Sequence, residues 1–151
     1  MPDRERQLNA LGLAFREADR SLRRLRGRDT HLASGELGHS RIELLGLLLD
    51  QGPLPTGELA AAAGVSPATV SQLVDGLEED GYVARARSDA DRRVVVVELT
   101  RQGEEKLAAK RALWRRRWRD ALADIESEDL EVAARVLERI ASVFADPSPT
   151  P

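Results

Sequence analysis

The sequence predicts a mainly α-helical fold that carries one small β-hairpin, and three observations lead to this class. Apolar residues recur at helical spacing over most of the 151 residues. Aromatic residues make up only 3% of the chain, so Ala, Leu and Val must build most of the core. One β-branched run, Val94–Val97, interrupts the helical pattern and favours a strand. A chain of this length is expected to form a single domain, here over residues 1–145.

The first part of the chain contains two predicted helices separated by a loop. Residues 4–26 space leucines and a phenylalanine among charged residues, which predicts a long amphipathic helix. Residues 27–38 are rich in glycine and predict a loop. Ser40 and Glu43 then match a capping box, so Ser40 is predicted to cap the next helix. The apolar residues that this helix is expected to bury are Ile42, Leu44, Leu45, Leu48 and Leu49.

Two short helices separated by a glycine come next. Thr56 is predicted to cap a helix that ends after barely two turns at Gly64. Ser66 and Pro67 combine an N-cap serine with a proline at the first helical position, so a second helix is predicted to begin there. Apolar residues at i, i+3, i+4 and i+7 give this helix a buried face of Val70, Leu73, Val74 and Leu77.

The rest of the chain predicts a hairpin followed by two long helices. Residues 82–87 and 93–99 are strand candidates, and the polar residues between them form the turn. Thr100 is predicted to cap a charged helix to about residue 124, and Ser127 a final amphipathic helix. Residues 146–151 contain no apolar side chain and are predicted to be disordered.

Two short helices joined through Gly64 and followed at once by a hairpin are typical of a winged helix-turn-helix, here over about residues 40–103. The glycine permits the sharp turn, and small residues let the two helices cross closely. A generic helical bundle would explain the apolar residues but not the turn chemistry combined with the hairpin. The arrangement therefore favours binding to double-stranded DNA.

The second short helix is the predicted recognition helix, which enters a major groove by its N-terminal turns. Gln72 can pair with adenine, and serine or threonine can contact bases or phosphates. Ser66 could instead act only as a cap, and Thr69 could face solvent. The acidic residues 78–80 would be repelled by phosphates, so they must lie at the end that points away from DNA. The candidate contacts on this helix are Ser66, Pro67, Ala68, Thr69, Ser71 and Gln72.

The hairpin holds a local excess of positive charge in a chain whose formal net charge is −3. Residues 84–101 contain five arginines and three acidic residues, a net charge of +2. An arginine at a hairpin tip can enter a minor groove, and a carboxylate two residues away can hold it in one pose. Asp91 and Arg93 have this spacing. An ordinary charged turn is the alternative. The candidate wing contacts are Arg87, Asp91, Arg92 and Arg93.

The chain resembles the MarR family of bacterial regulators in a set of motifs: Leu59-Ala60, Gly64-Val65-Ser66, Thr69 to Glu78, Gly81-Tyr82-Val83, Ser88 to Arg93 and Leu99-Thr100. The resemblance implies a homodimer in which helices at about 4–26 and 101–145 interlock and two winged helices read a pseudo-palindromic operator. It places Asp91 and Arg93 on the family's wing aspartate and minor-groove arginine. The long amphipathic helices independently favour a dimer, because a winged module is too small to cover their apolar faces.

The resemblance also implies release from DNA by a small aromatic or lipophilic effector. Because the chain contains no cysteine, the cysteine-based peroxide sensing of one branch of the family is excluded. Trp114 and Trp118 share a helical face, which favours a core or dimer contact over ligand binding. The candidate effector-binding residues are Phe15, His39, Arg41, Leu45 and Trp114.

The predicted function is a cytoplasmic, sequence-specific transcriptional regulator, a homodimeric repressor released by an effector. A winged-helix module that binds proteins and not DNA is the alternative. With no cysteine, only His31 and His39, and no Gly-rich phosphate loop, the sequence predicts no catalytic residue, no metal site and no cofactor. It also contains no apolar stretch long enough to cross a membrane.

Overall fold

A computed structural model describes residues 2–28 and 36–145, and these ranges contain six α-helices and two strands. The mainly helical class with one hairpin is confirmed. The predicted disordered tail, residues 146–151, and most of the predicted loop, with His31, lie outside the described residues. The elements in chain order are α1 (Pro2–Gly27), α2 (His39–Gln51), α3 (Thr56–Ala63), α4 (Pro67–Glu79), β1 (Val83–Arg87), β2 (Val95–Leu99), α5 (Arg101–Ala121) and α6 (Ser127–Ala145).

The chain divides into two compact units, residues 1–111 and residues 112–151. Among the described residues of the first unit, a hydrophobic core joins α2, α3, α4, the hairpin and the start of α5. That core positions the helix-turn-helix and the hairpin. The extent of a single domain over residues 1–145 stays a prediction. The fully buried side chains are Leu44, Leu45, Leu59, Val70, Val74, Leu77, Val83, Val97 and Leu107.

The turn between α3 and α4 has the predicted chemistry. Gly64 has φ +66°, a left-handed conformation that strains residues with a Cβ, and its amide donates to the last turn of α3. The Ser66 Oγ accepts a hydrogen bond from the amide of Thr69 at 3.2 Å, and Pro67 occupies the first helical position. These local bonds fix where the recognition helix begins.

Two predicted caps are wrong. α2 begins at His39, with Gly38 as its N-cap and Ser40 inside the helix, because the Gly38 carbonyl accepts the first helical bond from the amide of Ile42 at 3.0 Å. α3 begins at Thr56 itself, with Pro55 at the cap position and no side-chain cap bond. In both cases a residue with a non-helical backbone, Gly38 or Pro55, precedes the predicted capping residue and takes the N-cap position.

Leu49, predicted to be buried, is 45% exposed. Its neighbours Leu44, Leu45 and Leu48 fill the face of α2 that contacts the core. Leu49 follows Leu48 by about 100° around the helix axis, which turns it toward solvent. An aliphatic run can therefore extend beyond the face that the core covers.

The hairpin and α5 are joined tightly to the end of the recognition helix. β1 and β2 pair antiparallel from Val83 opposite Leu99 to Arg87 opposite Val95. Thr100 caps α5 as predicted, since its Oγ1 accepts a hydrogen bond from the amide of Gly103 at 3.0 Å. The same hydroxyl donates to the carbonyl of residue 81 at 2.7 Å, just after α4.

Exposed apolar faces mark helices in both units. In the first unit, α1 exposes Leu8, Leu11, Leu13 and Leu22. In the second unit, no residue of α6 is buried, although the helix has a continuous apolar face. Leu130, Leu137 and Phe144 are exposed on this face, and Val132 and Val143 are exposed elsewhere on the helix. No helix within residues 2–28 and 36–145 is long and apolar enough to span a bilayer.

Candidate nucleic-acid interface

The first turns of α4 form an exposed surface of small and polar residues. Five of the six predicted recognition-helix contacts, Ser66, Pro67, Ala68, Thr69 and Gln72, are exposed, and Ser71 is half-buried. Ser66 is engaged within the helix start, because its hydroxyl caps the amide of Thr69 and lies 2.8 Å from the Thr69 hydroxyl. Gln72 and Ala68 face solvent, so their side chains can reach a base edge.

Two carboxylates farther along α4 bind Arg85, which sequence reasoning counted only as part of the hairpin's positive charge. The Arg85 Nη2 lies 2.7 Å from Asp75 Oδ1, and its Nη1 lies 2.8 Å from Glu78 Oε1. The pKa of Arg85 is raised above its ordinary value, mainly by the hydrogen bond to Asp75. Partial burial opposes this increase, and the bond to Glu78 adds to it. The arginine's position opposite α4 arises only from the packing of the hairpin.

Arg41, predicted as an effector contact, binds Asp80, the residue that follows α4. Its Nη1 donates to Asp80 Oδ2 at 3.0 Å, and the Asp80 side chain is only 10% exposed. A Cβ at residue 76 would lie 2.6 Å from Arg41 Nη2, so Gly76 leaves the room that the guanidinium occupies. A glycine in the middle of a predicted helix was the available signal for such a close approach.

The hairpin presents the predicted pairing of Asp91 with Arg93. Arg93 donates from Nε to Asp91 Oδ1 and from Nη2 to Asp91 Oδ2, both at 3.1 Å, and its amide also binds Asp91 Oδ1 at 3.0 Å. These bonds from the side chain and the amide of Arg93 lower the pKa of Asp91 below its ordinary value. The Arg93 side chain is nevertheless 90% exposed. The guanidinium is therefore held in one pose and remains accessible.

The other predicted wing residues are also exposed on the hairpin. Arg87 donates weakly to the Arg93 carbonyl at 3.4 Å, and Arg92 lies 4.0 Å from Asp89. Neither arginine is held by two bonds as Arg93 is. The hairpin thus offers one oriented guanidinium and two less constrained ones.

The five predicted effector residues lie on α1, α2 and α5. Leu45 is fully buried in the core, because α2 packs that side chain inward, and its role as a ligand contact stays a prediction. Phe15 is half-buried on α1, and His39 Nε2 lies 3.1 Å from Glu43 Oε1. Trp114 belongs to the second unit, where the Arg117 guanidinium lies 5.5 Å from its ring centre.

A cavity in the first unit is lined by other residues of α2. It has a volume of about 370 Å³ and contains none of the predicted effector residues. Its lining combines apolar residues with three charged side chains. Its lining consists of Ile42, Glu43, Gly46, Leu47, Asp50, Ala62, Ala63 and Arg111.

The sequence model that describes the MarR family matches residues 37–95, which contain α2, α3, α4 and most of the hairpin. A curated relative, the uncharacterized HTH-type transcriptional regulator YdgJ of Bacillus subtilis, is 30% identical over 104 residues. The match includes 69% of this chain and 63% of YdgJ, so it spans less than two thirds of that relative.

Two solved structures are similar over most of their length. A MarR family transcriptional regulator from Silicibacter pomeroyi is 32% identical, with 85% of each chain covered and a TM-score of 0.64. A MarR family protein from Bacillus stearothermophilus is 26% identical, with 94% of this chain and 98% of that chain covered and a TM-score of 0.74. The family model and both of these solved structures are thus described by the same family name, MarR.

Proposed function

The chain belongs to the MarR family, and on this premise we propose that it is a sequence-specific DNA-binding transcriptional regulator. We further propose that it acts as a homodimeric repressor on a pseudo-palindromic operator and is released by a small molecule. Because bacterial operators lie in the cytoplasm, we expect the protein to act there. The proposed contacts are the first turns of α4 in the major groove and Arg93 in the minor groove.

The observation that carries the proposal is the distribution of charge along α4. Residues 66–74 contain no acidic side chain, and Ala68, Thr69 and Gln72 are exposed. The acidic residues begin at Asp75, and Arg85 and Arg41 bind three of them. A helix with this distribution can enter a major groove by its N-terminus with little repulsion from phosphates.

Charge and exposure also support a second copy of the chain as partner. α1 contains seven arginines and four acidic residues, a net charge of +3, and α6 contains two arginines and four acidic residues, a net charge of −2. Both helices expose apolar faces. Burying these faces between two copies would remove apolar surface from water and bring opposite charges together.

Binding to the DNA upstream of its own gene tests the function. We expect a gel-shift titration to give an affinity that falls steeply with salt, because phosphate contacts release counterions. A footprint should show two half-sites about ten base pairs apart, and sedimentation should give a dimer. Gln72→Ala should change the preferred base at one position per half-site; an equal loss on every sequence would make Gln72 a backbone contact instead.

The control for this titration is unrelated DNA of equal length at the same salt. If the chain binds both duplexes equally, or neither, sequence-specific regulation is refuted. Absence of salt-dependent binding would favour the alternative, a winged-helix module for protein contacts.

The cavity beside α2 supports the effector part of the proposal. Its volume of about 370 Å³ falls at the lower end of the range of about 300–1,000 Å³ that is typical of small-molecule sites. Ala62→Phe, which fills the cavity from its exposed side, should abolish the effect of an aromatic effector on operator affinity without changing that affinity. Ala61→Phe is the matched control, because Ala61 is exposed on the same helix but does not line the cavity. Equal responses of the two variants would contradict this location.

A further inference from the structure

Arg85 joins the hairpin to the recognition helix through three hydrogen bonds. Its guanidinium donates to Asp75 at 2.7 Å and to Glu78 at 2.8 Å. Its backbone amide donates to the second oxygen of Glu78 at 3.1 Å. One carboxylate of α4 thus binds both the main chain and the side chain of a β1 residue. A bidentate contact of this kind specifies orientation as well as distance.

These bonds make Arg85 unlike the arginines near the hairpin tip. The Arg85 side chain is 31% exposed, whereas the Arg93 side chain is 90% exposed. Two carboxylates at hydrogen-bond distance also compensate its charge. To contact a phosphate, Arg85 would have to leave both carboxylates, which would then face the same phosphate. The bound geometry therefore argues against a direct role in DNA binding.

The positions of the partners show what the contact does. Asp75 and Glu78 are three residues apart on α4, so both lie on the face that the hairpin meets. Arg85 lies in β1, two residues before Arg87. It pairs with Val97 of β2 across the two strands, so the two side chains lie on the same face of the hairpin. Fixing Arg85 on α4 fixes the angle at which the hairpin leaves the recognition helix.

We propose that Arg85 is a positioning residue for operator binding, which sets the hairpin against α4 through Asp75 and Glu78 and does not itself contact DNA. This inference rests on the proposed function. Both elements must meet the same duplex, one in a major groove and the other in the adjacent minor groove. A change in the angle between them would weaken the two sets of contacts together.

The two adjacent glutamates of α4 provide a matched test. Glu78 binds Arg85, whereas Glu79 forms no ion pair within the described part of the chain. Glu78→Gln and Glu79→Gln each remove one negative charge from the same helix turn. We expect Glu78→Gln to weaken operator binding by about two- to fivefold, within the range that exposed ion pairs support. Glu79→Gln should leave affinity unchanged or raise it slightly, as the lost negative charge predicts.

Two further measurements separate positioning from general stability. Hydrogen exchange of the β1 amides should accelerate in Glu78→Gln and not in Glu79→Gln. Arg85→Lys should bind the operator more weakly than wild type but better than Arg85→Gln, because an ammonium cannot hold both carboxylates in the same geometry. Melting temperatures measured alongside show how much of each loss comes from unfolding.

The outcomes are distinguishable. If Glu78→Gln tightens operator binding as much as Glu79→Gln does or more, Arg85 acts as a phosphate contact and the proposal is overturned. If the wild-type chain binds no operator, the proposed function fails, and unchanged β1 exchange in Glu78→Gln would then overturn the positioning role as well. Faster exchange of the β1 amides together with weaker operator binding in Glu78→Gln supports both the proposed function and the positioning role of Arg85.

Discussion

Gly103→Ala should destabilise the chain by about 3 kcal/mol, at the upper end of the usual cost of overpacking. A Cβ at this position would lie 2.1 Å from the carbonyl oxygen of Tyr82 and 2.8 Å from Leu99 Cδ1. The carbonyl is fixed, because it accepts a hydrogen bond from the amide of Thr100 at 3.1 Å. Relief of the clash requires α5 to move away from the turn that follows α4.

The expected loss of stability is opposite to the gain that helix propensity predicts for a change from glycine to alanine. The sign of the change therefore distinguishes the two effects. Gly103 lies in the first turn of α5, and alanine is normally more stable than glycine in a helix by about 1 kcal/mol. Gly57→Ala in α3 is the control, since a Cβ there meets no atom within 4 Å and should be neutral or stabilising. The free energy of unfolding, measured by urea denaturation, should fall in the first variant only. Equal stability of Gly103→Ala and wild type would contradict the close packing.

Local chemistry explains which parts of the fold the sequence could predict. Gly64, Ser66 and Pro67 act through their own backbone preferences and through bonds to residues at most four positions away. Thr100 likewise caps α5 through a contact three residues along the chain. Such signals do not depend on the rest of the molecule, so the turn, the recognition helix and the start of α5 could be predicted from local sequence.

The wrong cap prediction at Ser40 shows that such local signals can be overridden by the neighbouring backbone. The sequence satisfied a capping box, but the extended backbone of Gly38 placed a carbonyl where α2 could begin two residues earlier. Leu49, which was predicted to be buried, is exposed for a different reason. The helix α2 has more apolar residues than core-facing positions, and only packing decides which of them the core covers.

Contacts between distant residues account for what sequence reasoning missed in the candidate site. Arg41 and Asp80 are 39 positions apart, and Arg85 and Asp75 are ten apart on different elements. Neither spacing matches a helical or strand period, so no local pattern joins the partners. The sequence predicted that acidic residues of α4 must avoid phosphate. It could not predict that arginines from α2 and β1 would bind them.

Arg93→Ala should lower operator affinity by about 5- to 150-fold, which corresponds to about 1–3 kcal/mol. The physical reason is the pose of the guanidinium, which Asp91 holds through two side-chain bonds while leaving it exposed. A preoriented arginine loses less conformational entropy when it enters a narrow minor groove. A gel-shift titration at constant salt measures the loss, and sedimentation should show that the dimer remains.

Asp91→Asn separates orientation from charge. It keeps Arg93 and makes the hairpin more positive, so a purely electrostatic role of Arg93 predicts tighter binding. If orientation matters, affinity should fall by less than in Arg93→Ala, because the guanidinium is present but less constrained. Arg92→Ala is the control for charge alone: Arg92 is adjacent, exposed and only 4.0 Å from Asp89. Arg92→Ala should weaken binding equally on every DNA sequence. It should also reduce the slope of log affinity against log salt concentration by about one.

The pH dependence of operator binding gives an independent check on the contact between Asp91 and Arg93. Arg93 lowers the pKa of Asp91 below its ordinary value of 3.8, so the carboxylate remains ionised throughout the neutral range. The contact is therefore fully present above that ordinary pKa and is lost only as pH falls through the lowered one. Affinity differences between wild type and Asp91→Asn should stay constant from about pH 6 to pH 8, since the Asp91 carboxylate is ionised throughout that range and an asparagine carries no charge. A difference that varied across this range would mean that another group controls the pose of Arg93.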